Sequence, residues 1–370
     1  MSKTAVLLIA AGLSARMGRF KPLVELDGTP LINHAIDSFR TIDICETVVV
    51  TGHCREELEA HLRNAHIKTV YNPRYADTEM IDSIKLGLSC LQGKCDCFFL
   101  LPADMPLVQP FTIEVLNAYK TDKPIVQPAY HNKHGHPLLI NASCIPQILP
   151  FTGEGGLKGA LEPFGKEIVD IPDPGIAIDA DTPEAFDVIK TLYHQLEVPS
   201  REMSLFMLKW YANSERIVRH CETVARVAAN IAKLAVERGW SVDIHLIESA
   251  ALLHDITKNR GNSHAKTGGV LLARLGYSKV GRVVATHTDL PYDAIARPDE
   301  RAVVYLADKL VKNDSCVGVK RHFAGTFEKY ARDSVATAAI QQRLDNALVI
   351  MKKLGITDDD CLDISGLLRP

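Results

Sequence analysis

The feature that most constrains this chain is a change of hydrophobic period near its middle. From Ala5 to about Ile189, short β-branched or apolar runs (Val6 to Ala10, Thr47 to Thr51, Cys97 to Leu101, Pro124 to Gln127) alternate with helix-length amphipathic stretches. Parallel strands need long crossovers, so this alternation predicts a mostly parallel sheet with helices on both faces. After Tyr193 the pattern becomes helical throughout: Ile217, Cys221, Val224, Ala228 and Ile231 recur at three- and four-residue steps, and Gly239 supplies a stop. The second half therefore reads as all α, and a hinge is expected over 194–204, where Pro199 and Ser200 interrupt the pattern. A length of 370 residues suits two domains, expected at 1–195 and 204–354, with a tail over 355–370.

Composition narrows the function classes. A formal net charge of −3 provides no global field to draw the chain onto nucleic acid or anionic lipid, so an anionic ligand needs a local basic site. No stretch approaches the ~20 apolar residues that span a bilayer. Lys3 followed by the apolar run Ala5 to Ala11, with Ser14 and Ala15 behind it, has the outline of a signal peptide, but Arg16 to Lys21 make better sense as part of a site. Nine cysteines without a CxxC pair suggest reduced thiols in a cytosol, and Cys95 and Cys97 are expected on one face of a strand.

The run Val6 to Ala10 opens into Ala11-Gly12-Leu13-Ser14-Ala15-Arg16-Met17-Gly18-Arg19-Phe20-Lys21. Small residues at a strand end let backbone N–H groups approach a phosphate, and Arg16 and Lys21 bring positive charge to the same loop. By glycine spacing alone this could equally be a tight strand-to-helix turn with solvated basic residues. Asp104, leaving the apolar run Phe98 to Leu101, would face the crevice where open α/β sheets bind ligands, or would serve as a helix cap. In Ile178-Asp179-Ala180-Asp181-Thr182-Pro183, both carboxylates share a face if the segment is extended, and Asp181 could instead cap the helix begun by Pro183.

Taken whole, Leu-Ile-Ala-Ala-Gly-Leu-Ser-Ala-Arg-Met-Gly followed by Lys21-Pro22-Leu23 resembles the signature of nucleotidyltransferases that join an NTP to a phosphorylated acceptor, especially the molybdenum cofactor cytidylyltransferases. The resemblance covers the first half of the chain and implies a Rossmann-like α/β domain of the nucleotide-diphospho-sugar transferase type. It implies that Ala10, Ala11, Gly12, Arg16 and Lys21 bind the nucleotide, with Lys21 and Arg16 also catalytic. Asp104 corresponds to the Mg²⁺ ligand, and Asp179, ranked above Asp181, would complete that site. Ser83, in Met80 to Leu88, matches a helix passing the nucleotide, and Gly135-His136-Pro137 matches an acceptor-side loop. Ala10-Ala11-Gly12 resembles the CTP-using branch, whereas GTP users carry Ala-Gly-Gly. Molybdopterin cofactor is the expected acceptor, with sugar or alcohol phosphates as the alternative.

In the second half, His220, His254, His287 and Asp308 each border the inward stripe of an expected helix. Polar groups facing one core need partners, and convergence on a metal satisfies them together. The order His220, His254-Asp255, Asp308 resembles the HD superfamily of metal-dependent phosphohydrolases, and His264 and His287 match the extra histidines of its two-metal members. The resemblance implies that Asp255 bridges two metals. Imidazole and carboxylate ligands suit Fe or Mn, with Zn the other candidate. Lys258, and also Lys309, would hold substrate phosphate or be plain surface charge. Thr288-Asp289-Leu290-Pro291 departs from the usual Thr-Gly, and the segment after Asp308 lacks the usual basic ending of those hydrolases, so dinucleotide specificity does not carry over. The expected whole is a cytoplasmic bifunctional enzyme with small-molecule substrates, a partner in molybdoenzyme maturation, and neither nucleic acid nor membrane as partner. A nucleotide-sensing regulatory role for the second domain is the rival.

Overall fold

A computed structural model describes residues 3–63, 66–119, 121–212, 214–261 and 263–357. Asp358, Asp359 and Asp360, read from sequence as a solvated charge run, lie outside the described residues. The chain divides into two compact units, Met1–His194 and Gln195–Pro370. No described helix is long and apolar enough to cross a membrane.

The first unit is built on β1 (Thr4–Ala10), β2 (Ile44–Thr51), β3 (Lys68–Tyr71), β4 (Cys97–Pro102), β5 (Ile125–Tyr130), β6 (Leu138–Asn141) and β7 (Lys166–Asp170). They lie in the order β7-β5-β6-β4-β1-β2-β3, and the short strand Lys133–His134 pairs with β5. All pairs within this order are parallel except those of β6 with β4 and β5. The main helices are α1 (Leu31–Asp37), α2 (Arg55–Leu62), α3 (Met80–Leu91), α4 (Pro110–Ala118) and α5 (Pro183–Gln195). β1 is apolar along its length because it is central, and its inward side chains Ala5 and Leu7 pack with Val48, Val50, Ile84, Leu88 and Phe98 into one core. Gly87 lets α3 lie on this sheet, since a Cβ there would meet Leu7 at 2.3 Å. The chain runs from β1 outward to β2 and β3, then crosses back to β4 on the other side of β1. The loops after β1 and β4 therefore diverge, opening the crevice that such a switch of direction creates.

The strand containing Cys97 begins at that residue. Cys95, expected beside it on one strand face, instead lies buried in the preceding turn, where Gly93 takes φ +74° and the Asp96 N–H donates to the Lys3 carbonyl. The described cysteines are free.

The second unit is mostly helical: α6 (Arg201–Ala212), α7 (Glu215–Glu237), α8 (Ile244–Leu253), α9 (His264–Arg274), α10 (Ser278–Val284), α11 (Glu300–Leu310), α12 (Val319–Lys329) and α13 (Ser334–Leu354). α7 buries Cys221, Val224, Ala228 and Ile231 and stops before Gly239 (φ +87°). α11 is buried on every side from Ala302 to Leu310, as a central helix must be, so the charged Asp308 and Lys309 are inside. One hairpin, Val311–Lys312 with Ser315–Cys316, departs from the all-helical expectation; Asn313 turns it with φ +56°. Two-residue strands are too short to leave a periodic signal.

Candidate functional sites

In the first unit the loop after β1 folds back on itself. Ser14 (φ +54°) accepts the Lys21 N–H on its hydroxyl at 3.1 Å, and its carbonyl accepts the Met17 N–H at 3.1 Å. The loop borders a cavity of about 300 Å³ lined by, among others, Ala10, Gly12, Arg16, Lys21, Asp104 and Asp181. A Cβ on Gly12 would meet no atom within 4 Å, so the fold itself does not demand a glycine there. Ala11 is buried behind the cavity, its carbonyl 2.4 Å from where a Cβ on Gly52 would stand.

Lys21 is the centre of this site. Its Nζ donates to Asp104 Oδ2 at 2.9 Å and to Asp181 Oδ1 at 2.5 Å, and the exposed Arg16 pairs with Asp181 Oδ2 at 2.6 Å. Burial alone would lower the Lys21 ammonium, but the two carboxylates outweigh it and hold it above its ordinary value. Asp181 is held low, chiefly by its Lys21 hydrogen bond and, against some burial, by the charges of Lys21 and Arg16. Asp179 stays outside these bridges; partial burial and the neighbouring Asp181 and Asp104 push its carboxyl up. Three carboxylates against the Lys21 ammonium and the Arg16 guanidinium leave one excess negative charge, and carboxylate oxygens suit a hard divalent cation. The segment is held there by the Ala180 N–H, which donates to the Asp104 carbonyl at 2.9 Å, and Thr182 rather than Asp181 caps α5.

Ser83 is not brought to the cavity. Its hydroxyl is buried against the Asn72 amide at 3.0 Å, while Met80, one turn earlier, lines the cavity wall. His136 packs by β4: burial lowers its pKa, against a hydrogen bond to the Leu100 backbone and the Asp104 charge, and among the described residues its buried Nδ1 has no hydrogen-bond partner. Gly135 is required beside it, because a Cβ would stand 2.4 Å from the Ile176 carbonyl. Asp173, which sequence patterning did not single out, is fully buried and accepts from Thr112 Oγ1, Gln109 N–H and Gly175 N–H. It ties the start of α4 to the segment that leads to Asp179 and Asp181.

In the second unit, five helices deliver one cluster. His220 comes from α7, His254 and Asp255 from the end of α8, His264 from the start of α9, His287 from just past α10, and Asp308 from α11. Asp255 lies between two histidine pairs. Its Oδ2 is 3.9 Å from His220 Nε2 and 3.6 Å from His254 Nε2, and its Oδ1 is 3.1 Å from His264 Nε2 and 3.5 Å from His287 Nε2. Asp308 Oδ1 lies 3.4 Å from His220 Nε2 and 3.6 Å from His254 Nε2. Two sets, His220-His254-Asp255 and Asp255-His264-His287, are each compact enough to hold one ion.

The backbone sets the tautomers. Nδ1 of each ring contacts a carbonyl: His220 to Asn313 (2.6 Å), His254 to Ala251 (2.7 Å), His264 to Gly261 (3.1 Å) and His287 to Val284 (2.8 Å). With Nδ1–H donating, each Nε2 carries a lone pair, and the four converge on carboxylate oxygens or on one another, His264 and His287 at 3.2 Å, with His264 Nε2 also 3.4 Å from Lys258 Nζ. His254 Nε2 is buried with no hydrogen-bond partner among the described residues. Lone pairs facing carboxylates repel unless a cation lies between them, so this donor set fits metal ions and fits a purely hydrogen-bonded core poorly. Burial pushes His254 down to about 4. For Asp255, burial is outweighed by His254, His264, His287 and Lys258, which hold its carboxyl well below the usual range.

Lys258 reaches Asp255 at 3.2 Å with its side chain 48% exposed, free to meet a ligand. Lys309 is committed inward, on Asp308 Oδ2 at 2.5 Å and the His287 carbonyl at 3.4 Å. A cavity of about 560 Å³ opens on the cluster, and it is lined also by Arg216, Lys312, Asn313 and His322, none of which a motif would have found. Asn313 does positioning work for the cluster: its carbonyl orients His220, and its side chain accepts from Arg216 at 2.9 Å.

Comparison with known proteins agrees with this division. Residues 6–168 match the MobA-like NTP transferase domain, and residues 217–313 match the HD domain. A molybdenum cofactor cytidylyltransferase of Escherichia coli (strain K12) is 27% identical over 198 residues, 53% of this chain and 100% of that protein. A probable molybdenum cofactor guanylyltransferase of Nostoc sp. is 26% identical over 206 residues, covering 53% of this chain and 95% of that protein. Among solved structures, a nucleotidyl transferase from Methanothermobacter thermautotroptrophicus is similar at 20% identity, over 52% of this chain and 98% of that one, with a TM-score of 0.46. The chain therefore carries a MobA-like NTP transferase domain, a nucleotidyltransferase domain with a mostly parallel sheet, followed by a mostly helical HD domain.

Proposed function

We propose that this chain is a cytoplasmic bifunctional enzyme of molybdenum cofactor chemistry. Its first domain transfers a cytidylyl group from CTP to the phosphate of molybdopterin cofactor, and its second hydrolyses a phosphate ester or nucleotide. For the first domain, the observation that carries the reading is the convergence of Arg16, Lys21 and Asp104 in the crevice after β1 and β4. An acceptor phosphate oxygen forms a bond to the α-phosphorus of the nucleotide, and the bond to the departing pyrophosphate breaks. Lys21 and Arg16, exchanging their carboxylate partners for phosphate oxygens, neutralise the charge that gathers on the leaving group. Gly12 leaves open the backbone approach to phosphate. Asp104 and Asp179 would hold Mg²⁺, which supplies further charge neutralisation.

For the second domain, the observation that carries the reading is the set of four imidazole lone pairs aimed at Asp255 and Asp308. His220, His254, Asp255 and Asp308 would hold one divalent ion and Asp255, His264 and His287 the other, Fe or Mn, with Zn also compatible; the pair would supply water activation and charge neutralisation. Asp255, facing both histidine pairs, would be shared by the two ions, and Lys258 binds a phosphate oxygen of the substrate from the cavity side. The water oxygen bonds to phosphorus as the ester P–O bond breaks, and the ester oxygen leaves with that electron pair and takes up a proton, equivalent to the one the water gives up.

Pyrophosphate release from CTP, GTP and ATP, with and without molybdopterin cofactor, tests the first activity. Release with CTP that needs the cofactor and is lost in Asp104→Ala supports it. Release with CTP and a sugar or alcohol phosphate instead would reassign the acceptor.

A further inference from the structure

The match to the HD domain ends at residue 313, but the cavity wall continues past it. His322, on α12, faces the same cavity as His220, Asp255 and Asp308, and beside it stands Lys312 of the hairpin. His322 Nδ1 lies 2.8 Å from the Val311 carbonyl, which makes it the donor and leaves the Nε2 lone pair facing outward. Among the described residues that Nε2 has no hydrogen-bond partner, and burial lowers the pKa of the ring, so it is a neutral acceptor. Lys312 extends over Gly325 of α12, where an added Cβ would stand 3.2 Å from its Nζ, and it pairs with no carboxylate among the described residues. A cationic donor and a neutral acceptor thus line the same cavity of about 560 Å³ as the candidate metal ligands His220, Asp255 and Asp308.

These two groups ask for different things. Lys312 suits a phosphate oxygen. A lone pair on His322 is repelled by ionised phosphate oxygens, which are acceptors, and is satisfied by a hydroxyl. We propose that Lys312 and His322 form a substrate-selecting subsite, in which Lys312 holds a phosphate oxygen and His322 Nε2 accepts a hydrogen bond from a hydroxyl on the organic part of the same molecule. The site then takes phosphomonoesters of a polyol, a ribonucleotide being the type, in preference to pyrophosphate. This deepens the phosphohydrolase reading and rests on it for the identity of the site.

The test measures binding by calorimetry on the full chain, metal-free and metal-loaded, together with phosphate release. The probes are CMP and AMP, their 2′,3′-dideoxy counterparts, and pyrophosphate. The expected result is tighter binding of the ribonucleotides than of the dideoxy forms. His322→Ala should weaken ribonucleotide binding about fivefold, the effect of one neutral hydrogen bond, and leave dideoxynucleotide and pyrophosphate binding unchanged. His322→Gln, which keeps an acceptor, should restore part of the loss, and Lys312→Met should weaken all three classes. Equal binding of ribo and dideoxy forms, no effect of His322→Ala, or no binding of either nucleotide overturns the subsite. If His322-dependent binding occurs without phosphate release, the subsite stands and the hydrolase reading falls. If phosphate release at subsaturating ribonucleotide is unaffected by His322→Ala, the hydrolase reading stands and the subsite falls.

Discussion

Replacing Gly281 by alanine sets two effects of opposite sign against each other. In an isolated helix the change gains about 1 kcal/mol, because alanine restricts the unfolded chain and glycine does not. Here α9 and α10 cross with no room for a side chain: a Cβ on Gly281 would stand 2.6 Å from the Gly269 carbonyl oxygen, and a Cβ on Gly269 would meet the Gly281 carbonyl at 2.7 Å. Moving that 2.6 Å to an ordinary 3.4 Å contact requires the helices to part by about 0.8 Å. Such overpacking costs ~1–3 kcal/mol, so the variant should be destabilised despite its better propensity. The crossing also sets the distance between His264, at the start of α9, and His287, just after α10, whose Nε2 atoms are 3.2 Å apart. Ligand geometry tolerates roughly 0.5 Å, so metal affinity should fall about tenfold or more. Urea unfolding of the metal-free chain and chelator competition with Mn²⁺ measure the two consequences. Val270→Ala, an exposed position one residue along α9, is the control: it should leave metal affinity unchanged and, by propensity, raise stability by about 0.5 kcal/mol. A Gly281→Ala chain that is more stable than wild type and binds metal equally well would refute the reasoning.

Two further outcomes are expected. Gly12→Val should leave the unfolding midpoint unchanged, since nothing lies within 4 Å of the added Cβ, yet weaken CTP binding tenfold or more by blocking the approach of phosphate; an equal loss of stability would assign the glycine to the fold. In chelator, stability should fall as the pH drops. His254 titrates at about 4 in the folded chain against an ordinary 6.5, so below 6.5 the unfolded chain takes up a proton that the folded one does not, at a cost of about 1.4 kcal/mol for each pH unit down to that value. Asp255 and Asp308, held low, add loss of the same sign under more acid conditions, while His220, raised by Asp308 and Asp255 against its burial, opposes it in part. Urea midpoints at pH 7.5, 6 and 5 check the sign; a flat or rising profile would contradict it.

What was legible in the sequence follows physical range. β1 and its loop could be read because a central strand is apolar throughout and its glycine and basic residues are contiguous, so one segment carries both the element and the chemistry. His254-Asp255 and its helical neighbours were legible because helix periodicity points those side chains inward. The choice between Asp179 and Asp181 was not, since both lie on one extended face; which of them meets Lys21 depends on a hydrogen bond from Ala180 to Asp104, far away in sequence. Ser83 has the spacing of a ligand-facing hydroxyl, yet Asn72 from the end of β3 claims it. The hairpin at 311–316, with Asn313 orienting His220, is too short for any period, and His322 becomes part of the cavity only when α12 folds back beside that hairpin.

If two separate active sites operate in one chain, each must fail without the other failing. The most direct test measures CTP-dependent, molybdopterin-dependent pyrophosphate release and metal-dependent phosphate release from a ribonucleotide in the wild type, Asp104→Ala and Asp255→Ala. The account predicts a crossed result: Asp104→Ala loses the first activity and keeps the second, and Asp255→Ala does the reverse. Pyrophosphate release that survives Asp104→Ala, or a wild type that releases no phosphate from any nucleotide while binding it, would contradict the account, the second outcome leaving the HD domain a sensor.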